Sequence, residues 1–265
     1  MTVAERWPSL PLAEWRDTAN TLHLWTQIVG KVRLALAPMV NHWWNVPLYV
    51  SARGLTTSAM PYGAGVVELT FDFHEHALRV ETSWGEARSV QLRPRSVADF
   101  YRDVMATLKA AGVNVRIMRR PVELEHVIPL DEDDVHASYD AAAAAKFWQM
   151  LIDVDRVLHE FRGRFIGKCS PVHFWWGSFD IAVTRFSGRG VLPRADAGVV
   201  PAIRSSPHRA RPRCRAAVVS AEHVRRGGDA RRVGPRRARA PARLAHPVRN
   251  ATQKRSAESV HRRAS

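Results

Sequence analysis

The chain has 265 residues, 40 Lys+Arg against 25 Asp+Glu for a formal charge of +15, nine tryptophans and two cysteines. That length suits one domain core, two cysteines exclude a disulfide-built scaffold, and no apolar run reaches the ~20 residues that cross a bilayer. Residues 1–12, with Glu5, Arg6, Pro8 and Pro11, lack the basic, apolar, small-residue order of a signal peptide, so a soluble cytoplasmic protein with reduced thiols and no membrane partner is expected.

The charge is unevenly spread. Residues 201–265 hold 18 basic and three acidic side chains, which leaves residues 1–200 formally neutral. Phe186 is the last Phe, Trp or Tyr. A stretch of Arg, Ala, Pro and Val without period cannot bury enough apolar surface to offset chain entropy. The expected organisation is a folded domain over 1–195 and a disordered basic tail over 196–265.

Taken in chain order, 18–36 predicts a first helix. Asp17 or Thr18 caps it, and Leu22, Trp25, Ile28, Val29, Val32 and Leu36 recur at steps of three and four, leaving Gln27, Lys31 and Arg33 off the apolar stripe. From Val46 the pattern shortens to β-type runs at 47–52, 66–73, 77–84 and 89–92, the middle two flanking His74-Glu75-His76 as a hairpin. Ser96-Val97-Ala98-Asp99 opens a second helix as a capping box, with Phe100, Val104, Leu108 and Ala111 inward and Gly112 as its stop. Residues 113–118 predict a strand. Five consecutive alanines favour a third helix over 137–161, its apolar face carrying Phe147, Leu151, Val154 and Leu158. An aromatic β region follows at 172–186. This segregated order predicts an α+β fold, a single domain with an antiparallel or mixed sheet and three main helices.

Several blocks resemble a known family. They are Trp7-Pro8-Ser9-Leu10-Pro11, Gln27-Ile28-Val29-Gly30-Lys31-Val32-Arg33-Leu34, Asn41-His42-Trp43-Trp44, Arg53-Gly54-Leu55-Thr56-Thr57, the run from Gly167 to Asp180, and Thr184-Arg185-Phe186-Ser187-Gly188-Arg189. Over about residues 7–193 the chain resembles domain-of-unknown-function family 5996, an uncharacterised bacterial family. The resemblance implies a soluble bacterial protein and brings no activity. It also implies a fold that continues past residue 200 into a further aromatic-containing portion. Here an arginine-rich run with Lys254 as its single lysine stands instead. Arg, Ala, Pro and Val have GC-rich codons, so the tail is expected to be an out-of-frame product and the domain to be truncated.

Motifs with a known mechanism fail on spacing. Gly167-Lys168-Cys169-Ser170 lacks the upstream glycine of a phosphate-binding loop, and Gly63-Ala64-Gly65 precedes a strand, not a helix. Asp72, His74 and His76 alternate as metal ligands on a strand would, yet fall where the chain turns. Asp131-Glu132-Asp133-Asp134 with His136 and Asp140 reads as an acidic complement to the start of the third helix. Neither metal nor cofactor is expected. Cys169 has no useful geometry with His173 on a strand and reads as a small buried hydrophobe.

The remaining polar groups interrupt aromatic sequence, where an unpaired buried group is costly. His42 beside Trp43 and Trp44, Arg53 before a glycine, and His173, Asp180 and Arg185 around Trp175 and Trp176 form the candidate ligand-binding set: a Trp-lined pocket whose His and Arg fix a small molecule. An acid/base pair of His173 with Asp180 is a second outcome, opposed by strand parity unless Gly177 hosts a bulge. The competing structural reading pairs Arg185 with Asp180 and lets the histidines satisfy backbone carbonyls. Two other classes stay open. One is nucleic-acid binding through the Arg-rich tail, salt-sensitive and without aromatics for base stacking; the other is a non-catalytic interaction module whose truncated sheet exposes apolar surface.

Overall fold

A computed structural model describes residues 7–191 and 211–220, with the backbone alone for 189–191 and 211–220; all of them lie in one compact unit. Helix α1 (Leu12–Leu36) starts directly after Pro11, well ahead of the predicted cap. Thr18 does not cap it, because its hydroxyl accepts from the Asp140 N–H at 3.0 Å instead. The predicted stripe is buried as far as Val32, with Trp25, Ile28, Val29 and Val32 fully inside and Leu36 half-buried at its end. Gln27, Lys31 and Arg33 are buried too, at 0, 4 and 6 % exposure, because α1 is enclosed on more than its apolar side.

Six short strands follow: β1 (Tyr49–Val50), β2 (Gly54–Thr56), β3 (Met60–Tyr62), β4 (Gly65–Asp72), β5 (Ala77–Thr82) and β6 (Ala87–Gln91). They form an antiparallel sheet in the order β1-β2-β4-β5-β6, with β3 also on β4. The hairpin at 74–76 is present, Asp72 facing Ala77 across it. β2 and β3 were not predicted, since three residues give no alternation to count. Leu69, Phe71, Leu78 and Val80 turn to the helices and are fully buried.

Helix α2 (Val97–Ala110) has the predicted cap, Ser96 Oγ accepting from Asp99 N at 3.0 Å. Gly112, at φ 82°, takes the left-handed conformation that ends it. Phe100 stacks on Trp25 at 4.4 Å, which docks α2 on α1. The strand predicted at 113–118 does not form. Val113, Val115 and Ile117 do alternate against the core, but the segment joins no ladder. Helix α3 (Ala141–Gly163) begins at Asp140, whose carboxylate accepts from Ala143 N at 3.0 Å. The acidic run ahead of it serves α2 instead: the Asp133 carboxylate takes the N–H groups of Val135 and His136, and its carbonyl takes that of Ala98.

The aromatic β region is a hairpin of β7 (His173–Trp175) and β8 (Asp180–Val191). Reciprocal bonds between Leu48 and Phe174, 2.9 Å each, join it to the first sheet beside β1. Phe174 packs toward Phe147 of α3, so its neighbours His173 and Trp175 point to the opposite face. The architecture is therefore the predicted α+β arrangement, three helices on antiparallel sheet. Within the tail expected to be disordered, the backbone of Arg211–Ser220 forms a strand, β9, along β8. The Ala216-Ala217-Val218-Val219 run suits a strand, and pairing engages backbone groups that β8 would otherwise present as an edge. The other tail residues lie outside the described ones. No described helix is long and apolar enough to cross a membrane.

Candidate functional site

The site is held in place by polar residues of α1. His23, Gln27 and Lys31 stand four apart and so share one helical face. His23 Nε2 lies 2.9 Å from the Gly177 carbonyl. Gln27 both donates to the Val122 carbonyl and accepts from its N–H, at 2.9 Å each, and Lys31 donates to the Arg120 carbonyl at 3.0 Å. Burial lowers the pKa of the Lys31 ammonium, which lies 5.7 Å over Trp176. The Trp176 indole donates to the Val46 carbonyl and is wedged against Gly30, where a Cβ would come within 2.3 Å of the ring. One helix face thus fixes the segment at 120–123 and the β7–β8 turn.

Those two segments, with the 3-10 turn Asn41–Trp43, enclose a cleft of about 200 Å³ walled by Trp43, Trp175, Trp176, Glu123 and Ser178. His42 (φ 62°), Trp43 (φ 60°), Glu123 (φ 58°) and Phe179 (φ 56°) all take the left-handed conformation. Each such residue costs of order 1–3 kcal/mol, and strain of this kind clusters at functional sites. At the acidic end of the cleft, Ser178 donates to Asp180 at 2.7 Å. Burial raises the Asp180 carboxyl against that bond, and burial followed by the Asp180 charge raises Glu123.

The two consecutive left-handed residues let Trp43 face the cleft while Trp44 turns to a second cluster, on the sheet face away from the helices. His173 is at its centre, 1 % exposed. Tyr49 lies 5.6 Å from its ring, Trp175 5.3 Å and Trp44 6.1 Å. His42 lies tilted against both Trp44 and Phe186, and Lys168 Nζ donates to His42 Nε2 at 2.9 Å. Arg33 reaches the Tyr49 ring from α1, 5.3 Å from its centre, and donates to the Thr57 carbonyl and Ser58 hydroxyl. His173 Nε2 and Arg33 Nε are buried without a hydrogen-bond partner. Burial, then the charges of Arg33 and Arg162, lower the His173 pKa to about 4, so the imidazole is neutral at physiological pH.

Of the nine predicted residues, His42, Trp44, His173 and Trp175 meet in this cluster, and Trp43, Trp175 and Trp176 line the cleft, with Asp180 beside it. Arg53 and Arg185 do not join them. Arg53 donates to the buried Asp72 at 2.5 Å on the far side of β2. Arg185 alternates with Phe186 along β8 and stacks 3.3 Å over Phe161 of α3. Neither pairing of Asp180 with Arg185 nor with His173 forms. Asp180 stands opposite Trp175, hence on the His173 face and not on the Arg185 face; the turn at 176–179 resets the parity that a single strand would impose. Its carboxylate nevertheless bonds Ser178, and His173 Nε2 is left without a partner. Asp72, His74 and His76 also part company: His74 stands edge-on to Trp148 while His76 bonds Tyr139. Arg33, Tyr49, Glu123 and Lys168 were missed. The four-residue spacing of His23, Gln27 and Lys31 was the available signal for the helix face that supports them.

Fold and site together define an α+β protein with a helix-backed antiparallel sheet and an aromatic site gathered around one β-hairpin. Residues 7–210 match the family described as a family of unknown function (DUF5996), and the chain belongs to that family. The match extends beyond the blocks that carried the resemblance. No curated protein and no solved structure matches the chain.

Proposed function

We propose that the protein binds a small molecule at the β7–β8 hairpin, against Trp44 and Trp175 with His42 and His173 supplying polarity, beside the adjoining cleft of Trp43, Trp175 and Trp176. The observation that carries this reading is the His173 imidazole, buried among three aromatic rings with Nε2 unpartnered. Leaving such an atom unsatisfied costs about 1–3 kcal/mol, a cost that a ligand's hydrogen bond removes. The strained His42 and Trp43 backbone and the adjoining cleft support the same place. Binding is preferred to catalysis because His173 Nε2 has neither a carboxylate nor a nucleophile at hydrogen-bond distance among the described residues.

Thermal-shift screening of the full chain against a metabolite library tests the reading. Compounds that raise the melting temperature are expected to lose that effect in Trp175→Ala. Stabilisation that survives both Trp175→Ala and Trp43→Ala places binding elsewhere and removes the proposal.

A further inference from the structure

The side chains around His173 have an uneven charge. Arg33 is 6 % exposed, and its guanidinium meets the Thr57 carbonyl, the Ser58 hydroxyl and Tyr49, by ring and by hydroxyl, none of them a carboxylate. Arg162, whose charge acts on His173, donates to the Ser170 carbonyl at 2.7 Å. Lys168 lies 4.9 Å over Phe186 and donates to His42. Among the described residues none of these three cations has a carboxylate within ion-pair distance, although such pairs are frequent elsewhere in the fold. Glu68, on the same sheet face, accepts from Thr56 at 2.5 Å, and Asp180 accepts from Ser178. A buried guanidinium without a counter-ion is costly, and its fork of donors matches an oxyanion.

We propose that the ligand of this site is a small organic anion, its carboxylate or phosphate group received between Arg33 and His173 and its apolar body lying against Tyr49, Trp44 and Trp175. The assignment rests on the small-molecule reading above and adds the chemical class. Arg33 Nε and His173 Nε2, both buried and unpartnered, supply the two donors, His173 as the Nε2–H tautomer or as imidazolium. Exposed Lys168 draws the anion to the rim. An anion beside the imidazole favours its protonated form, so binding strengthens as the pH falls. The charges that act on His173 are those of Arg33 from α1 and Arg162 from α3, and both oppose protonation until the anion screens them; Tyr49 from β1, His42 and Lys168 complete the titratable groups of the cluster, and Asp180 of β8, on the same face, bonds Ser178.

The test titrates the full chain with benzoate and phenyl phosphate, each beside a neutral counterpart, benzamide and phenol, at pH 6 and pH 8. Tryptophan fluorescence is the readout; every tryptophan precedes residue 177, so the signal reports the folded region and not the arginine-rich tail. Saturable changes are expected with the anions alone, tighter at pH 6, and the stronger of the two tells carboxylate from phosphate. Arg33→Met is expected to weaken binding by about tenfold or more, the value of a charge-assisted bond. His173→Phe keeps the ring's bulk, covers the case in which Arg33→Met fails to fold, and is expected to abolish the pH dependence. Benzamide binding as tightly as benzoate, benzylamine binding in place of either anion, or anion affinity unchanged in His173→Phe overturns the anion assignment and leaves the small-molecule site standing. No fluorescence change with any of these compounds overturns both.

Discussion

The sheet holds two buried polar centres that are built in opposite ways. At the β2–β4–β5 end, Asp72 is completely buried, and every direction from its carboxylate is answered: Arg53 at 2.5 Å, Arg79 at 3.9 Å, and the N–H groups of His74 and Glu75. Burial pushes that carboxyl up, but the Arg53 bond, the two backbone bonds and the Arg53 charge together hold it below its ordinary value. At the β1–β7–β8 end, His173 and Arg33 are also enclosed, yet each keeps an unpartnered nitrogen, and the carboxylates on that face, Asp180 and Glu68, bond Ser178 and Thr56 instead. The first centre is complete and serves the turn that it closes. The second keeps two buried nitrogens without partners among the described residues, and the functional proposal is attached to it.

The comparison can be broken most forcefully at the satisfied end. Asp72→Ala strands two turn N–H groups and two half-exposed arginines, and is expected to cost about 3 kcal/mol in urea unfolding; a loss below ~1 kcal/mol would mean that the centre is not structural.

A second difference is in pH dependence. His173 has its folded pKa lowered to about 4, so between pH 6.5 and 4 the unfolded chain takes up a proton that the folded chain refuses. That contribution to stability is whole above pH 6.5 and is lost as the pH falls toward 4, by about 2–3 kcal/mol. Denaturation of wild type against His173→Phe across that window isolates it, because the raised Glu123 and Asp180 are common to both proteins. Equal slopes would contradict the burial of the imidazole.

The positioning of the second centre is sharpened by Gly30→Ala. A Cβ 2.3 Å from the Trp176 ring forces the hairpin away from α1, at a cost of about 2 kcal/mol, with altered tryptophan emission. The smallest effect has the opposite sign. At pH 8 and without ligand, His173→Phe is expected to stabilise the fold by about 1 kcal/mol, since it removes an unsatisfied polar atom from an apolar setting. Asp72→Ala cannot behave that way, and this contrast in sign is the clearest separation of the two ends.

How much of this was legible beforehand follows from the range of the interactions. Local signals were readable: the Ser96 cap, the 74–76 hairpin, the Trp25–Ile28–Val32 stripe and the aromatic β region all lie within one element or turn. The gathering of His42 and Trp44 with His173 was anticipated from composition, since polar groups in aromatic strands must be answered. What was not legible depends on pairing across long separations. Leu48 joins Phe174, which sets Tyr49 beside His173, and Arg33 reaches that place only because α1 crosses behind the strands. Gln27, Lys31 and Arg33 fall off the apolar stripe, and nothing in their neighbourhood shows that residues 120–122 and 57–58 will cover them. Arg53 and Arg185 were misplaced for the same reason, their partners being Asp72 and Phe161.

The central claim is that His173 is a neutral, buried, unsatisfied imidazole awaiting an anion. Its most direct test is the nitrogen-15 NMR titration of that ring in the full chain, with and without saturating benzoate. The account predicts a pKa near 4 for the free protein and a clear upward shift with benzoate; an ordinary imidazole pKa of about 6.5 that does not respond to the anion would contradict it.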